Sequence, residues 1–291
     1  MSPQSEKSHN SGKKSPAVDP KSVTLAPDAI IQRFDGHQRI QHALMASSFI
    51  LLVVSGWPLT THGLGASQSL VGLFGGMEGC ALVHRICGVV MMVAAIYHLF
   101  YLAALWRRRR LRLSMLPGPK DAQDALENIA YFVGKRPGRP KFPRYAYFEK
   151  FDYWAVFWGV AIMVGSGLLR WFPDRATSLL TPTAYEIGLH AHADEGLLAA
   201  LAIFVWHFYN VHLRPQIFPM SWVFITGRMT AEELKHEHGA EYDEIVAKLR
   251  ADAQTAADAE AEARAAEEAA EAAAKAAVKA PAPAAKPEEK R

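Results

Sequence analysis

Four histidines stand at positions where they could do chemistry. His84 and His98 lie inside one apolar stretch, residues 80–105, CALVHRICGVVMMVAAIYHLFYLAAL. His192 and His207 lie inside a second, residues 187–213, IGLHAHADEGLLAALAIFVWHFYNVHL. The members of the first pair are fourteen residues apart and those of the second fifteen. At about 3.6 residues per turn both spacings come close to four turns, so each pair shares roughly one helix face over about 21–23 Å of rise. Ionisable residues inside an apolar span are costly and mark function. A lone histidine there more often hydrogen-bonds to a neighbouring helix. Two pairs on two apolar helices instead suit two haems stacked across a membrane, each held by one imidazole from each helix.

The rest of the chain must position these residues. It has 291 residues, half of them hydrophobic, and a formal net charge of +3, too weak a balance to point to nucleic acid. The large apolar runs are confined to residues 38–213, and the basic residues cluster beside them. The expected fold is therefore all-α, an integral-membrane four-helix bundle with polar tails. Residues 1–37 read as a disordered cytoplasmic tail, 38–215 as the four-span haem-binding domain, 216–250 as a helical segment, and 251–291 as an Ala/Glu/Lys-rich tail whose last residues, PAPAAKPEEKR, are disordered. Cys80 and Cys87, without a CxxCH motif, read as small buried residues rather than a covalent haem attachment.

The spans are residues 38–59, 80–105, about 151–172 and about 187–213. Four consecutive arginines, Arg107 to Arg110, close the second span, and the loop 106–147 is basic. The positive-inside rule puts that loop in the cytoplasm, and with four spans both termini as well. The expected location is the bacterial inner membrane. Within the loop, Leu126, Ile129, Ala130 and Val133 recur at helical spacing, which reads as an amphipathic helix lying on the membrane or packed on the protein. Thr230 and Glu233 form a capping box opening a helix after the last span. His236 and His238 read as solvated, and His190 and His212 as interface residues.

Depth sorts the ligand candidates. His84 and His192 lie near the outer face, His98 and His207 near the inner face. His42, at the cytoplasmic start of the first span, competes with His98 as the partner of His207. The matched rises favour His98, since spans two and four then supply both haems.

LVHRICGVVMMVAAIYHLFYL resembles the second helix of the cytochromes b of quinol:cytochrome c and plastoquinol:plastocyanin oxidoreductases. A wider resemblance, over about residues 33–245, is to the cytochrome b gamma subunits of membrane-bound formate dehydrogenases and nickel–iron hydrogenases. Its motifs are RIQHALMASSFILLVVSGW, VHRICG, HADEG, WHFY and GRMTAEELKHEHGAEYDEI. This second resemblance implies His42, His84, His192 and His207 as ligands, so the two resemblances differ on the inner haem. It implies two haems b; apart from the resemblance, the extra inner histidines leave room for a third, on His42 and another such as His212. It also implies a quinone site beside the inner haem, which falls on RYAYFEKFDYW and offers Arg144, Glu149, Lys150 and Asp152. There the family's Asn and Gly are replaced by Ala146 and Phe148.

The expected function is that of a di-haem b subunit of a respiratory complex. It would relay electrons between a periplasmic iron–sulfur or multihaem cytochrome c subunit and the quinone pool, with membrane lipid around it. The rival is a haem-free anchor or transporter whose histidines bind metal or relay protons.

Overall fold

The computed structural model describes residues 19–61, 63–215 and 217–279, and side chains among them as far as residue 275. The N-terminal tail up to residue 18 and the terminal PAPAAKPEEKR lie outside the described residues. The chain divides into two compact units. Pro27–Glu241 holds everything of functional interest, so the segment after the last span belongs with the spans as far as Glu241. The other unit takes the described residues before Pro27 and after Glu241. In it, Arg250 Nε donates to the Val23 carbonyl at 2.9 Å.

The larger unit is built on four helices long and apolar enough to cross a membrane. The first, α1, is Gly36–Thr60. It opens on a capping box in which Asp35 accepts from the Gln38 amide and Gln38 reaches back to the Asp35 amide. A nine-residue helix, α2, Gly65–Leu73, leads to α3, Met77–Arg107, and α4 is Pro119–Phe132. The third long helix, α5, is Tyr147–Trp171, followed by the short α6, Pro173–Leu179. The fourth, α7, is Pro182–Leu201, and it continues as π-type turns over Ala202–His207 and Tyr209–Leu213. The boundaries of all four agree with the hydropathy reading to within a few residues.

The bundle consists of two antiparallel hairpins, α1 on α3 and α5 on α7. Small residues line the first seam: Ser48 and Ser55 of α1, with Cys87 and Ala94 of α3, are buried. Small side chains let helix backbones approach in lipid, where no hydrophobic force drives them together. The outer faces are apolar and open; Phe100 is 71% and Val205 67% exposed. Contiguous apolar surface of this kind is what a lipid-facing helix presents.

The amphipathic α4 is mounted with its apolar side outward. Leu126, Ile129, Phe132 and Val133 are exposed, while Asp124 and Asn128 are buried. Its polar side holds it: Lys150 bonds Asp121 at 2.9 Å and Asn128 donates to the Tyr147 hydroxyl. An apolar stripe left free on a helix between two spans suits the membrane-surface reading.

Where the chain enters α1 and leaves the last span, two short strands pair antiparallel. They are β1, Ile30–Gln32, and β2, Arg228–Thr230, with Ile31 opposite Met229. The small helix α8, Val223–Thr226, precedes β2, and the turn between them needs positive φ at Gly227. After β2 come α9, Ala231–Glu237, opened by the expected Thr230–Glu233 capping box, and α10, Gly239–Lys279. Glu241 at the start of α10 is shared by buried Arg33 and by Arg144, the latter at 2.9 Å.

His238, read from sequence as solvated, is buried. Its Nδ1 lies 2.9 Å from the Pro143 carbonyl and its Nε2 3.9 Å from Glu149. Burial depresses its pKa below the ordinary histidine value, although Glu149 pulls the other way.

Candidate functional site

The histidines of the spans gather at two ends of the bundle. The first site lies toward the end that carries α2 and α6. His84 of α3 and His192 of α7 face each other there, their ring centroids 6.2 Å apart. Two metal–nitrogen bonds of about 2 Å, plus the distance from each nitrogen to its ring centre, require roughly this separation. The pair therefore fits an iron between the two imidazoles.

The surroundings of the two rings repeat each other. In α1, Ser55 Oγ lies 3.2 Å from His84 Nδ1; in α5, Ser166 Oγ lies 3.0 Å from His192 Nδ1. Each serine donates its one proton to the carbonyl a turn earlier, Leu51 and Ile162, both at 2.6 Å. Each hydroxyl must then accept from the imidazole, so Nδ1 carries the proton and Nε2 keeps a free lone pair, the form a metal needs. A glycine follows each serine. A Cβ at Gly56 would stand 2.9 Å from His84 Cε1, and one at Gly167 3.2 Å from His192 Cε1. Only glycine leaves these rings undisturbed. The two Ser-Gly pairs, one on each hairpin, form a matched cradle for a flat group held between two imidazoles. Arg170 lies within electrostatic range of both rings, and Arg85 stacks over Trp171. Both are cations at this end of the bundle that would suit the carboxylates of a haem.

The second site lies toward the end that carries Gly36, Arg107, Tyr147 and Leu213. Here the structure departs from the pairing that spacing favoured. His98 is not turned toward His207. Its Nδ1 is 2.9 Å from Gln41 Oε1 and its Nε2 3.0 Å from the Tyr153 hydroxyl, so both ring nitrogens are engaged. The reason is the packing order: α3 lies along α1, not along the last span. One helix face can serve two partner helices at different depths, and His84 and His98 do so. His42 of α1 is instead within electrostatic range of both His207 and His212. The ring of Phe224 packs against His42 and His212, each at 5.5 Å between centroids.

His212 joins this cluster through the π-type winding. In an α-helix, residues five apart point about 140° away from each other; an i→i+5 turn brings them back to one face. The Arg214 amide accordingly bonds the Tyr209 carbonyl at 3.0 Å. The residue read as an interface histidine thus has a buried Nδ1 with no partner among the described residues. His190, by contrast, is exposed, in keeping with its reading.

His207 Nδ1 lies 3.1 Å from Asp152 Oδ2. The carboxylate accepts that proton and again leaves Nε2 free for a metal. Asp152 is the one member of the expected quinone set that touches a site histidine. Arg144 is bound to Glu241 and to the Arg33 carbonyl. Glu149 caps its own helix by accepting from the Ala146 amide at 2.7 Å, and Lys150 is paired with Asp121. These three hold the end of α5 in place. Among the described residues, no three His, Cys, Asp or Glu side chains form a cage for a bare metal ion.

Residues 33–220 match the family model described as prokaryotic cytochrome b561, which covers well over half of the chain. A comparison with curated proteins gave no match.

Proposed function

This chain belongs to the prokaryotic cytochrome b561 family, and from that premise we propose that it carries electrons between a redox partner at one membrane face and the quinone pool at the other. As a member of that family, the chain is an integral-membrane haem b electron-transfer protein. What supports the transmembrane relay is the presence of two histidine sites at opposite ends of a four-span bundle. His84 and His192 would hold the first haem, with Ser55 and Ser166 fixing their tautomers. His42 and His207 would hold the second, with Asp152 orienting His207 and His212 beside them. Bound haem supplies reversible one-electron chemistry. The protein's own part is to fix ring orientation, set ligand basicity and exclude lipid and water from the iron.

The arginine run after α3 orients the chain with its termini in the cytoplasm. The first site then faces the periplasm and an iron–sulfur or multihaem cytochrome c subunit. The second faces the cytoplasm and a quinone near Asp152. An electron moved between the faces does work of about 2.3 kcal/mol per 100 mV for each full crossing of the membrane. Inward transfer works against a potential negative inside and needs a low-potential donor; outward transfer is assisted.

The test is the reduced-minus-oxidised spectrum of the purified protein, followed by its reoxidation with a short-chain quinone. Low-spin haem b bands that bleach on quinone addition are expected. A haem-free protein, or reduced bands that quinone leaves untouched, would contradict the reading.

A further inference from the structure

His98 is half-buried in the bundle, and both of its ring nitrogens are hydrogen-bonded by side chains from two other helices. A neutral imidazole has one donor and one acceptor nitrogen. Gln41 Oε1 can only accept, so His98 donates from Nδ1. Tyr153 then donates its hydroxyl proton to Nε2. The remaining end of the chain is open: Gln41 is 5% exposed, and its Nε2 is buried without a partner among the described residues. A polar group left in that state is costly and calls for an explanation.

The same seam between α1 and α3 carries further polar rungs toward the helix ends. His37 Nδ1 lies 2.6 Å from the Tyr97 hydroxyl, and the Tyr101 hydroxyl donates to Asp35 at 2.8 Å. His37 and Gln41 are four residues apart on α1, and His98 and Tyr101 three apart on α3, so each pair shares a face. The rungs run from the start of α1 inward to His98, and Tyr153 continues them into α5. Tyr153 is the neighbour of Asp152, which holds His207. Apolar side chains would pack this seam at lower cost.

We propose that Gln41, His98 and Tyr153 form the proton-handling site for a quinone bound beside the second haem site. This rests on the quinone reading above. Gln41 Nε2 supplies a hydrogen bond to a ring oxygen of the quinone. In the reducing direction the imidazolium of His98 gives its Nε2 proton to the Tyr153 oxygen as the Tyr153 O–H bond breaks and a new O–H bond forms on the quinone. The phenol ends as it began, and His98 ends neutral, to be protonated again from water at the membrane surface. Two such protons, with two electrons from reduced haem iron, turn quinone into quinol. Quinol oxidation runs the same steps in reverse. The hydrogen-bond order inferred above, phenol to Nε2, is the one that receives a proton from quinol. The titratable group that meets His98 is Tyr153; along the same seam lie Tyr97 with His37 and Tyr101 with Asp35, with Tyr145 within electrostatic range of both Tyr101 and Tyr153 and Asp152 next to Tyr153 in the chain.

The test uses the full chain with its haem, in lipid vesicles, reduced stoichiometrically without oxygen and mixed rapidly with menadione or with ferricyanide. Ferricyanide takes an electron and no proton. Tyr153→Phe and His98→Gln should slow reoxidation by menadione by on the order of 100-fold, the scale of positioned acid–base groups. Both should flatten its pH dependence and leave haem bands and ferricyanide rates unchanged. The glutamine keeps a donor and an acceptor in place, so it reads proton transfer rather than folding. Wild-type menadione rates and pH profile in His98→Gln would overturn the proposal, and so would loss of a haem band in that variant, which would make His98 a ligand. A wild-type protein that ferricyanide oxidises and menadione does not would instead remove the quinone reading on which the proposal stands.

Discussion

The two histidine sites use the same ligand and hold it differently. At the first, a serine on each hairpin accepts from Nδ1, and a glycine beside each serine makes room for the ring. At the second, a carboxylate accepts from His207, and a π-type turn gathers His212 alongside. A hydroxyl already committed to a backbone carbonyl fixes orientation and adds little electron density. A carboxylate makes the imidazole more basic and stabilises oxidised iron. These contacts favour fixed ring geometry at the first site and, with iron bound, would favour a lower potential at the second. Under the function proposed above, the partner-facing site would be the rigid one and the quinone-facing site the more basic one.

The comparison is broken most completely by removing ligands. His84→Ala or His192→Ala should abolish the first haem and leave the spectrum of the second. Optical titration of each variant checks this; loss of both haems from either one would mean that the sites are not independent.

Crowding the cradle comes next. Gly56→Ala puts a methyl group 2.9 Å from His84 Cε1, and Gly167→Ala puts one 3.2 Å from His192 Cε1. Both should weaken haem retention at the first site by roughly 10-fold or more, the scale of outer-shell changes around a metal ligand, with Gly56→Ala the worse. Haem loss to apomyoglobin would measure it.

A smaller effect sharpens the contrast in potential. Asp152→Asn keeps a hydrogen-bond acceptor at His207 and removes the charge. The second haem should rise in potential by on the order of 60 mV, a tenfold change in a one-electron equilibrium. Ser55→Ala and Ser166→Ala should move the first haem less. Redox titrations of the three variants decide it, and equal shifts at both sites would remove the contrast drawn above.

How much of this was legible in the sequence depends on the range of the signal. The spans follow from runs of hydropathy in one dimension, and the capping box at Thr230 is a four-residue pattern; both were readable. His84 with His192 was readable because depth alone pairs them. His98 was not, because its helical phase matches His84 equally well whichever helix it faces. Only the packing of α3 on α1 turns it to Gln41 and Tyr153. His212 was hidden by the assumption of 3.6 residues per turn, which the π-type turns break. The pairing of Ile30–Gln32 with Arg228–Thr230 joins segments nearly 200 residues apart, and three-residue strands leave no periodic trace. A serine followed by glycine in both α1 and α5, Ser55-Gly56 and Ser166-Gly167, was the one visible hint of the twofold cradle.

The smallest effect lies outside the membrane. His238 is buried with a depressed pKa. The unfolded chain therefore binds a proton first as pH falls below about 6.5, and stability drops from there until the folded pKa is passed. The fold around Pro143 and Glu149 should loosen on mild acidification, and His238→Gln should remove part of that dependence. Amide exchange over residues 142–149 between pH 7 and pH 5 reads it; protection that does not change with pH would contradict it.

The most direct measurement compares His42→Ala with His98→Gln by haem content per chain. Two bis-histidine sites, on His84 with His192 and on His42 with His207, predict that His42→Ala loses the second haem and that His98→Gln keeps both. A full complement of haem in His42→Ala, together with loss of one haem in His98→Gln, would contradict the account.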